Sequence, residues 1–191
     1  TSNRQMLMRL EEYNSLKSKI AEMGYGHEIE WASKLKPCEG AQEFFWEYLW
    51  VICNSGVKNQ VARTIFRRVV DALISGEPVS EHFGHPGKSQ AIETVRKEYR
   101  ELFEVYRKCP GDASRLDFLA GLPWIGEITK FHLAKNLGIT SICKPDRHLV
   151  RIADSFGMNP QDLCEKLSSQ SGDSVAVVDS VIWRAANLGL V

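Results

Sequence analysis

Apolar positions along this chain recur at intervals of three and four, and no stretch sustains an alternation of period two, so the pattern predicts helices throughout. Met6, Leu10, Tyr13, Leu16, Ile20 and Met23 predict an amphipathic helix from about Asn3 to Met23, ended by Gly24 and Gly26. A short helical turn follows around His27 to Leu35 and closes at Pro37. Residues 40–53 carry Phe44, Phe45, Trp46, Tyr48, Leu49, Trp50, Val51 and Ile52, and a helix apolar on nearly all sides belongs at the centre of a fold. Core packing is the expected role for most of these aromatics. Asn54-Ser55-Gly56 breaks that helix, and Asn59 to Ile74 resumes with Val61, Ile65, Val69 and Leu73 inward. Gly76-Glu-Pro78 and His85-Pro-Gly87 read as loops. Lys88 to Lys108 reads as a long polar helix with Ile92, Val95, Tyr99, Leu102, Phe103 and Tyr106 on its inner edge.

The stretch from Leu116 to Ile152 is organised differently. Leu116, Leu119 and Leu122 give a helical stripe, Pro123 to Gly126 breaks it, and Ile125, Leu133 and Leu137 carry an apolar face into a second helix that Gly138 stops. A glycine at a hairpin that opens a helix aims free backbone N–H groups outward, which suits phosphate. Asp146 is placed as the N-cap of a helix running to about Phe156. Beyond it, Asn159-Pro160 starts a short helix with Leu163 and Leu167, Ser168 to Ser174 reads as a polar linker, and Val175 to Leu188 is a last apolar helix containing Trp183.

The run Leu122-Pro-Trp-Ile-Gly-Glu-Ile-Thr129, followed by Pro145-Asp146-Arg-His148, resembles the helix-hairpin-helix plus Gly/Pro-Asp signature of the endonuclease III superfamily of DNA glycosylases. The resemblance implies an all-α fold of two helical lobes with a cleft between them. The whole chain, residues 1–191, would form one glycosylase domain, with the helix-hairpin-helix at about 114–137 and the N- and C-terminal helices sharing one lobe. It implies that Leu122, Trp124, Ile125, Gly126 and Thr129 of the hairpin bind DNA, with Lys144 and Arg147 beside Asp146. In the superfamily a side chain from the turn after the buried helix wedges into the gap left by a flipped base, which brings in Asn54, Ser55 and Lys58; a simple helix–helix turn is the equal alternative there. Candidates for the base pocket are Ile128, Trp46 and Trp50.

The chemistry implied for Asp146 is cleavage of an N-glycosidic bond. A carboxylate near C1′ stabilises the oxocarbenium-like sugar, and the target base has to leave the stack to be reached. Bifunctional members carry a lysine two residues after the hairpin glycine. Here that position is Ile128, eighteen residues before Asp146, and isoleucine cannot be a nucleophile. Lys130 lies about 200° further round the helix and is expected to point away. The expectation is a monofunctional enzyme of base excision repair, using water and leaving the strand intact. An apolar residue at this position also resembles the alkylated-base branch. Two departures from the family pattern stand out: Trp124 replaces the usual glycine of the hairpin and either stacks beside a sugar or packs, packing being the expectation, and His148 is expected to be structural rather than a contact to DNA or water. Glu43 and Glu47 lie on the central helix, where activating water, facing solvent and capping a neighbour all stay open. The alternatives are a non-catalytic helix-hairpin-helix module, or a glycosylase-derived transferase modifying thymine, of the phage type.

Composition changes this picture little. At 191 residues, 43% hydrophobic and 25% charged, the chain is ordinary for a globular protein. The net charge of zero excludes a protein coated in basic surface, yet Lys58, Arg63, Arg67 and Arg68 fall together with no acid among them. Lys130, Lys135, Lys144, Arg147 and Arg151 form a second basic run, against Glu127 and Asp146. Cysteines 38, 53, 109, 143 and 164 show no C-x-x-C, so the iron–sulfur cluster of some relatives is not expected, nor any other metal or cofactor. Scattered thiols, with no membrane-spanning run and no secretory pattern, lead us to expect an intracellular monomer, cytoplasmic (bacterial or phage-like) or nuclear. The expected partner is double-stranded DNA containing a damaged or modified base, and no membrane is expected.

Overall fold

The computed structural model describes the backbone of residues 2–191 and the side chains from residue 9 onward; the inward place expected for Met6 lies outside the described side chains. Every regular element is helical among the described residues: α1 (Ser2–Ile20), a π-type turn (Ala21–Tyr25), α2 (Gly26–Ser33), α3 (Ala41–Asn54), α4 (Asn59–Ser75), a 3-10 turn (Val79–Glu81), α5 (Pro86–Lys108), α6 (Asp112–Ala120), α7 (Thr129–Asn136), α8 (Arg147–Ser155), α9 (Pro160–Ser171) and α10 (Val175–Asn187). None of these helices is long and apolar enough to cross a membrane. The chain forms two units. One comprises residues 1–36 and 138–191, the other residues 37–137.

The continuous unit is built around α3. Phe44, Tyr48, Leu49, Val51, Ile52 and Cys53 on this helix are completely buried, because α4, α5 and α7 all pack against it. Phe44 meets Phe103 and Tyr106 of α5 ring to ring at 5.8 and 5.4 Å. The Tyr48 hydroxyl reaches out of this core and donates to the carbonyl of Pro123 at 2.7 Å, which ties the central helix to the hairpin between α6 and α7. At the unit's ends the Cys38 amide donates to the Leu137 carbonyl at 2.9 Å, so its first and last strands of chain close on each other.

The discontinuous unit packs α1, α2, α8, α9 and α10 around Tyr13, Ile20, Leu149, Ala153, Leu163, Cys164 and the valines of α10. Polar ties hold sequence-distant helices together. The Tyr13 hydroxyl donates to Asp173 at 2.6 Å, and Lys17 pairs with the same carboxylate at 2.8 Å. The Arg184 guanidinium forks onto Glu28 and lies 4.3 Å over the ring of Tyr25. A bidentate arginine–carboxylate pair with an aromatic face behind it fixes geometry better than a lysine could.

The sequence reading needs three local corrections. Val61 of α4 points outward at 49% exposed, and the inward stripe is Ala62, Val69 and Ala72, with Ile65 and Leu73 only partly covered. Two of the buried residues on that stripe are alanines, so small side chains line the inner face while the larger Val61 faces out. His85-Pro86-Gly87 is the start of α5 and not a loop: the His85 ring accepts from the Lys88 amide at 3.2 Å as N-cap and Pro86 takes the first helical position. The polar stretch Ser168 to Ser174 is mostly helix, since α9 runs to Ser171 and ends on Gly172 at φ 81°.

Candidate functional site

The hairpin is a tight turn whose geometry comes from three contacts. The Ile125 amide donates to the Leu122 carbonyl at 3.0 Å, closing the four-residue turn Leu122-Pro-Trp-Ile125. Proline suits the second position of such a turn, and the third calls for a left-handed backbone. That third residue is Trp124, at φ 67° the single non-glycine residue with positive φ among the described residues. Its ring is held against the start of α5. A methyl group built on Gly87 would stand 2.5 Å from Trp124 Cζ3, and the His85 ring meets the indole edge-on at 5.0 Å. The bulk of Trp124 is therefore turned onto α5 and packs, as expected.

Leu122 and Ile125 are buried and anchor the turn, whereas Gly126, Glu127 and Ile128 are exposed. A side chain at Gly126 would meet nothing within 4 Å. The first intrahelical amide bonds of the second helix start at Lys130, which donates to Gly126 at 3.0 Å. Among the described residues the amides of Gly126, Glu127, Ile128 and Thr129 have no backbone acceptor, so a row of N–H groups opens toward the outside. Lys130 is buried at 8% exposed and pairs with Glu127, so it is not a free cation of the hairpin; it neutralises the one carboxylate there. Ile128, at 76% exposed, projects an apolar side chain beside these amides.

The turn after α3 is braced from α5. Ser55 is the C-cap of α3, Gly56 adopts φ 76°, and Lys58 is the N-cap of α4 without a side-chain cap bond. Lys88, buried at 6% exposed, donates its ammonium to the Ser55 carbonyl at 2.5 Å. Burial lowers its pKa, while burial pushes the neighbouring Cys53 thiol up to about 12. Nothing in the hydrophobic pattern marks Lys88 as an inward residue. Asn54 and Ser55 are half-buried and Lys58 exposed. Trp46 and Trp50, half-buried, pack edge-on against Phe66 of α4 at 6.4 and 5.6 Å. The pair is thus engaged with α4. Glu47 is half-buried, and burial together with the charge of Glu43 raises its pKa. Glu43 accepts from the Glu39 amide at 3.4 Å.

In the other unit, Asp146 is the N-cap of α8: its Oδ1 accepts from the Leu149 amide at 2.9 Å. Its Oδ2 is buried and has no hydrogen-bond donor among the described residues. Buried carboxylate oxygens without partners are rare enough to need an explanation. The segment carrying Asp146 is sewn down by residues that sequence reasoning missed. Buried Asp179 of α10 accepts from the Lys144 amide at 2.9 Å, and Gln161 of α9 accepts from the Cys143 amide at 2.9 Å while donating to the Ser141 carbonyl at 2.7 Å. These contacts span eighteen and more residues, and local sequence spacing holds no trace of them. Arg147 is exposed; Lys144 and His148 are half-buried.

No protein-family model matches the chain. No curated protein matches it either. Among solved structures the fold is similar to the 8-oxoguanine glycosylase/lyase of Methanocaldococcus jannaschii, determined in complex with 15mer DNA containing 8-oxoguanine. The TM-score is 0.64 at 14% sequence identity, covering 95% of this chain and 98% of that one. The chain has an all-α, DNA-glycosylase-like fold.

Proposed function

We propose that this protein is a monofunctional DNA N-glycosylase of base excision repair, a helix-hairpin-helix member of the endonuclease III superfamily, in which Asp146 is the catalytic carboxylate. What supports the reading is the DNA-glycosylase-like fold together with the placement of Asp146 as the N-cap of α8. Its Oδ1 caps α8, which fixes the rotamer, and its Oδ2 has no donor among the described residues and meets the sugar only once the bound nucleotide displaces what covers it. A carboxylate oxygen with no donor of its own, once uncovered beside the sugar, acts strongly on positive charge that develops there. A sugar losing its base develops such a charge at C1′. The bond from C1′ to the base nitrogen breaks, the electron pair leaves with the base, water adds to C1′ and gives up a proton, and the phosphodiester backbone stays intact. The open amides of Gly126 to Thr129, with Lys144 and Arg147, grip phosphates while the nucleotide is out of the stack. Asn54, Ser55 and Lys58 approach the duplex from the turn after α3. Ile128 offers no amine for a Schiff base and supplies an apolar wall for the base. Trp46 and Trp50 enter only as far as their packing on Phe66 leaves a face free.

The test is incubation with duplexes carrying alkylated, oxidised or deaminated bases, followed by alkali and mass analysis of the products. Asp146→Asn is the informative variant, because asparagine caps a helix about as well as aspartate and the fold survives while the charge is lost. Alkali-labile sites from the wild type and none from the variant are expected, with no covalent complex trapped by borohydride. Labile sites that persist in the variant remove Asp146 from the chemistry. A trapped adduct replaces water by a lysine, and an intact base of altered mass points to a transferase.

A further inference from the structure

The hairpin and the Asp146 segment leave unused the most basic surface of the continuous unit. Arg63, Arg67 and Arg68 lie with Gln60 and Thr64 on the exposed face of α4, in the i, i+3, i+4, i+7, i+8 relation that defines one side of a helix. None of the three arginines forms an ion pair among the described residues, and neither does Lys58 at the head of the same helix. Among the described residues Asp71, within one turn of Arg67 and Arg68 in sequence, pairs with neither. On α5 and α6 the situation is the reverse: Arg96, Arg107 and Arg115 each meet a carboxylate three residues earlier, at 3.5, 2.7 and 3.2 Å. Like charges one turn apart destabilise a helix, so a stripe of this kind on a neutral protein calls for an anionic partner.

We propose that the arginine face of α4 is a second DNA-backbone contact, holding duplex that flanks the target nucleotide. The inference rests on the glycosylase reading for its choice of partner. Two links connect the stripe to the hairpin within one unit. Lys88 at the start of α5 binds the Ser55 carbonyl of the turn from which α4 departs, and Trp124 of the hairpin seats on Gly87 in the same first turn of α5. The amides of the hairpin and the head of α4 are thus joined through one helix start. Along α4 the rise per residue separates Arg63 from Arg67 by about 6 Å. Arg63 and Arg67, one turn apart on the exposed face, can each meet a separate phosphate of one strand. Guanidinium groups on an exposed helix face carry no base information, and the contact is independent of sequence.

The experiment compares the full chain with its Arg63→Gln/Arg67→Gln/Arg68→Gln variant, binding undamaged duplex measured by anisotropy across a salt series. Exposed arginines on a helix surface are replaceable without unfolding, and a melting curve checks this. The slope of log affinity against log salt is expected to fall by about two to three, at roughly 0.9 per phosphate released. An unchanged slope overturns the proposal and leaves the role of Asp146 untouched. A reduced slope in a chain that releases no base from any lesion keeps the stripe and removes the enzyme reading. Poly-glutamate displacing duplex at equal charge concentration overturns the assignment to DNA.

Discussion

Trp124 shows how much can turn on one residue. A left-handed backbone costs a non-glycine residue about 1–2 kcal/mol, and the turn from Leu122 to Ile125 imposes that conformation whatever the side chain. Trp124 offsets the strain with its indole on Gly87 and His85, although the residue remains 47% exposed. Trp124→Gly gives up the contact and relieves the strain together, so its stability is expected within about 1 kcal/mol of wild type. Trp124→Ala gives up the contact and keeps the strain, and is expected to lie about 1 kcal/mol below the glycine variant. Thermal melts of the pair check this; an alanine variant as stable as the glycine variant shows that the turn relaxes out of the left-handed region. That Trp124 packs was legible from the sequence only as the preferred of two roles for a bulky residue in the hairpin. Its partner was not, because His85 and Gly87 lie in a segment whose helical start was read as loop. Asp146 was legible as an N-cap because capping is a matter of a few adjacent residues. Asp179, which holds the Asp146 segment from α10, was invisible for the opposite reason.

At the scale of elements, the start of α5 is where the two expected DNA-facing features of the continuous unit meet. Its N-cap His85 touches Trp124, its Gly87 lies under the indole, and its Lys88 holds the turn after α3. The glycine in the first turn of a helix is explained by that close approach and by nothing in helix propensity, which favours alanine by about 0.5–1 kcal/mol. Gly87→Ala should therefore destabilise the wild type by about 1–3 kcal/mol through overpacking against the ring. In a Trp124→Ala background the same change should become stabilising by about 0.5–1 kcal/mol. A double-mutant cycle from denaturant unfolding measures the coupling; equal effects in both backgrounds refute the seat of the indole on Gly87. The helices themselves were legible, because period and punctuation agree over most of the chain. Where a face was misplaced, as with Val61 on α4, the reason is that Ala62 and Ala72 pack by being small, and a hydrophobicity pattern weighs valine above alanine.

At the scale of the whole molecule, the hairpin with the arginine face of α4 and the carboxylate of Asp146 belong to different units of the chain. Sequence spacing placed the hairpin and the acid on neighbouring stretches, but the division falls between them, at Leu137 and Gly138, where the second hairpin helix ends at φ 83°. The unit of residues 37–137 is continuous in sequence, carries its own core around α3, and has its ends joined by the Cys38 to Leu137 hydrogen bond. A segment with its own buried core and adjacent ends is equipped to fold alone. Residues 37–137 expressed by themselves are expected to give a helical spectrum and a cooperative melt. They hold the open amides of Gly126 to Thr129 and the free arginines of α4, and so should bind undamaged duplex with a salt-dependent affinity. They lack Asp146 and should release no base from any lesion. Circular dichroism, anisotropy and the alkali assay read the three properties separately. A fragment that folds but does not bind duplex transfers DNA recognition to Lys144 and Arg147 in the other unit; a fragment that releases base moves the chemistry away from Asp146 altogether.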